Sequence, residues 1–386
     1  RSGLLKSFNV AIGMNRVADF NDEFNFAGRT RGTIVERFTE RANGNSLSDL
    51  DDFEGGLAFD AGAIYAPDES NNYINDFVDL DDGSYPFDVA KGQDVDQSGG
   101  INELLFGMAG NLGDRFLVGA TIGVPYLNYE SIKTYNESDN DDEIPGFNEL
   151  QYRESLSTSG VGFNFKAGII ARLNRNFSVG GSIHSPTVYT LTDNYNAQLT
   201  YDFTDQGNRQ EITQTSPDGS FKYRLTTPWK VVGSAAFKKK IGKVAGFVNT
   251  DVEWIDYRNG ALDLGRFSTS VEDQLVGEDV NEQVESQLLS VLNLKVGGEL
   301  AYNKFRIRSG INMMGSPYAA DEGFFFPAYS LGLGWREDKY YFDVGWRTQR
   351  IREGYIPYQV LDDDRLQVVQ NTIRNNKLGV TLGFQF

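Results

Sequence analysis

The chain has 386 residues and a net charge of −18, and nothing in it could form the broad basic surface that nucleic acid requires. It holds no cysteine and one histidine, which excludes disulfide frameworks, zinc-finger sites and a cysteine nucleophile, and leaves His-dependent triads and His-rich metal sites without material. No run of about 18 uninterrupted apolar residues occurs, so no transmembrane helix is expected. The 40% hydrophobic content, with 42 Gly, 27 Phe and 19 Tyr, still suits a membrane barrel, whose lipid-facing and lumen-facing residues average out along each strand.

Residues 5–17 alternate, with Phe8, Val10, Ile12 and Met14 opposing Asn9, Ala11, Gly13 and Asn15; period two is the signature of a strand. No signal peptide opens the chain, so the expectation is a trimmed precursor or an N-terminal part lying upstream. Residues 21–99 form a long polar segment with helical spacing at 32–42 and 53–65, read as one large loop with short helices inserted. A second strand at 101–111 turns at 112–114 into a third, in which Phe116, Val118, Ala120, Ile122 and Val124 share a face. A polar loop covers 135–146.

The fourth strand spans about 150–173 and sets Val161, Phe163, Phe165, Ala167 and Ile169 against Gly162, Asn164, Lys166 and Gly168. It turns at 174–176 into a fifth, which runs past Tyr189 towards Phe203 and a further polar loop reaching Gly219. The sixth, at 221–239, turns at 241–242 into the seventh, with Val248, Val252 and Trp254 opposite Asn249, Asp251 and Glu253. A loop with helical character spans 261–287. The eighth and ninth meet at 303–304, and the tenth and eleventh at 337–339. After a loop around 362–364 the twelfth strand carries Leu378, Val380, Leu382, Phe384 and Phe386 on one face, an aromatic C-terminal signal for barrel insertion by the assembly machinery.

Short and long connections alternate along this series. A soluble all-β repeat protein has no reason to gather its tight turns at one end; an outer-membrane barrel has short periplasmic turns and long extracellular loops. The expected fold is therefore an all-β transmembrane antiparallel barrel of about twelve strands, a single domain over 1–386. Its C-terminus would be periplasmic and its 21–99 loop outside the cell. Acidic stretches at 49–54, 76–82, 137–143 and 362–364 read as solvated loops.

Several stretches resemble the FadL/TodX family of outer-membrane transporters of hydrophobic compounds, and in particular its Bacteroidetes branch. They are Ser7-Phe8-Asn9-Val10-Ala11-Ile12-Gly13 with Phe20-Asn21, Ser98-Gly99-Gly100-Ile101-Asn102-Glu103 onward, the run from Arg115 to Pro125, and Thr227-Pro228-Trp229-Lys230 followed by the run from Asp251 to Tyr257. The resemblance covers nearly the whole chain. It implies a fourteen-stranded barrel, a lumen plugged by an N-terminal hatch with an Asn-Pro-Ala motif, and passive movement of fatty acids or aromatic hydrocarbons, with release through the wall. No enzymatic activity and no cofactor is implied. This sequence departs in lacking Asn-Pro-Ala and in offering about twelve strands, so the hatch and two strands are expected upstream of Arg1.

Alternation predicts an inward charged set: Lys166, Arg172, Lys230, Asp251, Glu253, Lys295, Glu299, Arg306, Arg308, Arg336, Asp343 and Arg347. It reads either as a structural lumen network or as a polar path with a cation for a ligand carboxylate. Pro125, Pro186 and Pro228 interrupt strands, marking ordinary bulges or a weak point for lateral release. In the large loop, Phe38, Leu57, Phe59, Ile64 and Tyr65 read as internal helix packing or as a greasy capture groove. Asp94, Asp96 and Ser98 resemble the start of a calcium loop, but the twelfth position is Leu105, not Glu; no other metal site is expected. Expected partners are outer-membrane lipid, a hydrophobic ligand and the insertion machinery. The competing reading is an accessory subunit whose acidic loops dock other outer-membrane proteins.

Overall fold

The computed structural model describes residues 4–66, 71–79, 81, 83–268, 270–360 and 367–384. Within them the alternating stretches pair into one antiparallel sheet of 17 strands. β1 (Leu5–Asp19) and β2 (Asp22–Arg31) both lie along β3 (Asp88–Leu112), with registers Leu5↔Leu112 to Asp19↔Gly100 and Asp22↔Gln97 to Arg31↔Asp88. They form one stave interrupted at Phe20-Asn21, where Asn21 Oδ1 accepts from Gly99 N at 3.1 Å. β4 (Phe116–Ser138) and β5 (Phe147–Arg172) are unbroken.

β6 (Phe177–His184) and β7 (Val188–Asp205) run end to end along β5. β8 (Asn208–Thr215), β9 (Gly219–Thr226) and β10 (Lys230–Ile241) run end to end along β7 and β6. β11 (Val244–Asp256), β13 (Ser290–Tyr302), β14 (Phe305–Gly315), β15 (Phe325–Arg336), β16 (Tyr340–Tyr355) and β17 (Val369–Phe384) complete the series, and β12 (Ala261–Asp263) is a short tie onto β9. Joined end to end, the strands make twelve staves, the expected number. Five tight turns, after β3, β5, β10, β13 and β15, share one end of the barrel, and the two-residue turn between β7 and β8 lies at the other.

Towards that end the outer face is an apolar belt: Phe106, Ile122, Phe165, Val231, Leu331 and Val380, among others, are exposed. The opposite, loop end has a hydrophobic core inside. The insertion between β2 and β3 folds back into the lumen as a cap, with α1 (Ile34–Ala42) and α2 (Gly55–Asp60). Thr33 N-caps α1, accepting from Val35 N at 3.1 Å, and Glu36 accepts from Thr33 N at 3.0 Å, a reciprocal cap that fixes where the helix begins. Asp51 caps α2, taking Phe53 N, Glu54 N and Gly55 N at 2.6–2.9 Å. A third helix, α3 (Val271–Gln287), occupies the loop expected to be helical.

Three expectations change. The large insertion is narrower than 21–99, because Phe24 and Phe26 extend the alternation and residues 22–31 pair with 88–97. The calcium reading fails for the same reason: Asp94 faces Asn25 and Asp96 faces Glu23 in a straight ladder, and an extended strand cannot wrap its side chains round an ion. The polar loop after Phe203 is instead a hairpin, β7–β8, turned by Gln206 and Gly207 at φ 47° and 79°, the backbone a two-residue hairpin turn needs. Phe386 and the acidic run 362–364 lie outside the described residues; Phe384 ends β17.

Candidate functional site: the lumen and its cap

The inward row of each strand is polar or small, and register brings the predicted charges together. On one side of the lumen Lys166 donates to Glu103 at 2.5 Å, while Asn164 donates to the other oxygen of Glu103 at 2.7 Å and to Thr187 at 3.1 Å. A Cβ at Gly123 would overlap both Glu103 Oε1 and Asn164 Oδ1, so glycine is what lets this carboxylate lie flat against the wall. His184 stands between Lys166 and Lys230 in register. Next comes Glu253, which takes Asn293 Nδ2 at 2.9 Å, Lys295 at 3.2 Å and Lys230 at 3.5 Å.

Nearer the turn end, Arg308 bridges Glu299 at 2.6 Å and Asp343 at 2.7 Å. Arg306 approaches Glu299 at 3.7 Å and Arg336 approaches Asp343 at 3.5 Å. Three predicted residues stand apart from these clusters: Arg172 donates to Asp114 O at 3.3 Å at the turn-end rim, Asp251 accepts from Asn249 at 3.4 Å, and Arg347 donates to Gln349 at 3.4 Å. Glu103 and Asn164 were missed as members. Glu103 lies on β3 and Lys166 on β5, so only the register of the intervening β4 shows that they meet.

The three prolines lie on neighbouring staves. Pro125 falls where the β4–β5 ladder lapses between Gly123↔Asn164 and Tyr126↔Val161. Pro186 separates β6 from β7 and Pro228 separates β9 from β10, with Thr227 N bonded to Thr187 O at 3.0 Å across the breaks. The interruptions form a row at the height of Asn164 and His184, at the loop-ward margin of the belt.

Above this row a cavity of about 800 Å³ opens beneath the cap, with Phe53, Tyr129, Tyr152, Tyr195 and Tyr355 among its walls; its charged lining is mainly acidic, with Asp49, Asp51, Glu54, Glu154 and Glu272 beside Arg41 and Lys133. Phe53 and Tyr195 rings lie 5.0 Å apart, and Tyr152 OH holds Phe53 O at 3.1 Å. The loop residues proposed for capture are divided. Phe38, Leu57 and Ile64 are buried in a core that the cap shares with wall residues such as Leu150, Tyr152 and Leu199, Phe59 packs against Tyr73 at 5.9 Å, and Tyr65 is exposed.

The cap is anchored through Glu137, from a stretch expected to be solvated. Glu137 is fully buried; it accepts from Ile34 N at 2.9 Å, Tyr135 OH at 2.8 Å and Thr33 OH. Burial holds its carboxyl above the usual range, opposed by Lys91 and by these hydrogen bonds. Asp76, bonded by Tyr201 OH at 3.0 Å, is raised by burial likewise. Among the described residues Glu149, Asp202 and Glu211 could converge on a metal ion, but Arg209 already donates to Asp202 at 2.8 Å and 2.9 Å, supplying the positive charge.

An apolar outer belt, a charged interior and five of the six tight turns at one end define a β-barrel of membrane type. No family model matches the chain, and no curated protein matches it. A crystal structure of a Pseudomonas aeruginosa FadL homologue is similar, with a TM-score of 0.50 and 13% identity over 77% of this chain and 74% of that one. At this identity the likeness is one of fold.

Proposed function

We propose that this protein is a FadL-type outer-membrane barrel, of the Bacteroidetes branch that its motifs resemble, through which hydrophobic small molecules pass without energy input or chemical change. The long loops face outward and β17 ends on the periplasmic side. The observation that carries the reading is the aromatic cavity of about 800 Å³ between the cap and the charged lumen. Such a space accepts an apolar body, while Lys133 can meet a carboxylate, Arg41 being paired with Glu54 at 3.3 Å. The test is small-molecule analysis of protein extracted in mild detergent. A long-chain fatty acid or aromatic hydrocarbon retained by the native protein and lost from Ser131→Trp, which fills the cavity, supports transport.

A second reading, an accessory subunit of a larger outer-membrane assembly, is favoured by the matched lumen charges and the packed cap. An empty barrel with a stoichiometric protein partner would establish it instead.

A further inference from the structure

Charge is spread unevenly around the end of the barrel where the five tight turns gather. Three neighbouring turns, joining β3 to β4, β5 to β6 and β10 to β11, are stitched into one rim. Arg172 N donates to Arg115 O at 2.8 Å, Lys238 N donates to Asn176 O at 2.8 Å, and Asn176 Nδ2 donates back to Lys238 O at 2.8 Å. The rim carries Arg115, Arg175, Lys238, Lys239, Lys240 and Lys243, all exposed. Among the described residues none of these cations forms an ion pair. The one carboxylate in the three turns, Asp114, accepts from Asn111 Nδ2 at 2.8 Å. The other two turns are balanced. Lys304 pairs with Glu337 at 2.6 Å, Arg336 with Asp343 at 3.5 Å, and Asp338 stands next to Lys339.

A surplus of cations on one narrow sector repels itself, in a chain whose net charge is −18. Its position shows what could neutralise it. The outer row of the same strands is apolar up to the rim, with Phe116, Leu173, Phe237, Ile241 and Val244 exposed. Lys239 falls on that outer row, between Phe237 and Ile241. The Arg115 guanidinium lies 5.6 Å from the centre of the Phe116 ring, within cation–π reach. These charges stand where the apolar belt ends. Long cationic side chains at such a border lay their methylenes along apolar surface and hold the charge among headgroups. Each one near an anionic bilayer surface is worth about a fivefold gain in binding. A zwitterionic lipid would leave the surplus uncompensated, and an acidic soluble protein would have to reach Lys239 and Arg115 through the headgroup layer.

We propose that this rim binds the phosphate headgroups of anionic phospholipid and gathers that lipid on one sector of the turn end. The bound headgroups would also fix the depth of the barrel, because the charged sector cannot follow the belt into hydrocarbon. The proposal rests on the membrane reading of the belt and not on transport.

The test uses full-length protein in nanodiscs of equal phosphatidylglycerol and phosphatidylcholine, with retained lipids counted by native mass spectrometry. The native protein keeps phosphatidylglycerol at least about threefold over phosphatidylcholine. Replacing Arg115, Arg175, Lys238, Lys239, Lys240 and Lys243 together by Gln abolishes the preference, while Lys304→Gln with Lys339→Gln, on the balanced turns, preserves it. A milder variant, Lys239→Gln with Lys243→Gln, falls to about half the native preference and serves if the larger one does not close into a barrel. Equal retention of the two lipids by the native protein, or an undiminished preference in the Gln variants of the rim, overturns the proposal. Inorganic phosphate bound by the lipid-free protein in micelles as tightly as phosphatidylglycerol assigns the rim to a soluble anion and overturns it too. Alkaline carbonate extraction tests the membrane reading separately. Release from membranes refutes that reading, whereas a retained barrel with no lipid preference refutes only the proposal.

Discussion

β5 is built in opposite senses along its length. In the belt it shows Val161, Phe163, Phe165 and Ile169 outward and Gly162, Asn164, Lys166 and Gly168 inward. Towards the loop end it shows Gln151, Arg153 and Ser155 outward and Leu150 and Tyr152, both buried, inward. β4 does the same, from Ile122 outside and Thr121 inside to Asn136 outside and Tyr135 inside. The period is two throughout; what reverses is which row is apolar. The belt half is solvated by hydrocarbon and needs no interior core. The loop half is solvated by water and needs one, which the cap completes. One barrel thus carries a membrane protein and a globular protein stacked on the same staves, joined at the row of prolines.

The largest expected effect breaks this contrast within one strand. Ile169→Arg places a charge on the lipid face within the belt and should cost about 2–4 kcal/mol, whereas Gln151→Arg, on the outer face of the loop half, should change stability by less than about 0.5 kcal/mol. Urea unfolding in lipid vesicles measures both. Next, Glu137→Ala removes the acceptor for Thr33, Ile34 N and Tyr135 and should weaken cap docking by about 2–3 kcal/mol. It is read as faster hydrogen exchange over α1 with belt strands unchanged.

The cap should also respond to pH while the belt does not. Glu137 and Asp76 have folded values raised above the unfolded ones, chiefly by burial. Their contribution is therefore fully present below the ordinary carboxylate range and is lost as pH rises through the folded values. Protection in the cap, corrected for the intrinsic pH dependence of amide exchange, should rise on acidification from neutral pH while that of the belt stays constant, and Glu137→Gln should flatten the cap's dependence. The smallest effect belongs to the lumen. Arg308→Met leaves Glu299 and Asp343 facing each other, but these groups are partly solvated, and a loss of about 1–2 kcal/mol is expected, measured by the same unfolding.

The belt half was legible in the sequence because lipid demands an unbroken apolar row, and tight turns advertise the strand ends; all five turns and the twelve staves were placed. The helices at 34–42 and 271–287 also fell where helical spacing put them. The loop half was less legible. β8 carries a polar outer face and no apolar row to announce it. Glu137 looks like one more loop carboxylate until α1, over 100 residues earlier in the chain, is seen to close over it. Of the inward charges most were readable from alternation, but who meets whom depends on register between strands, which alternation does not specify.

The central claim is that the interior of the loop half holds a hydrophobic passenger. Its most direct test is uptake of a fluorescent long-chain fatty acid into vesicles carrying the full-length protein or its Ser131→Trp variant. Uptake through the native barrel, abolished by the filled cavity while folding is retained, is the predicted result. Equal uptake by both proteins, or none above protein-free vesicles, would contradict it.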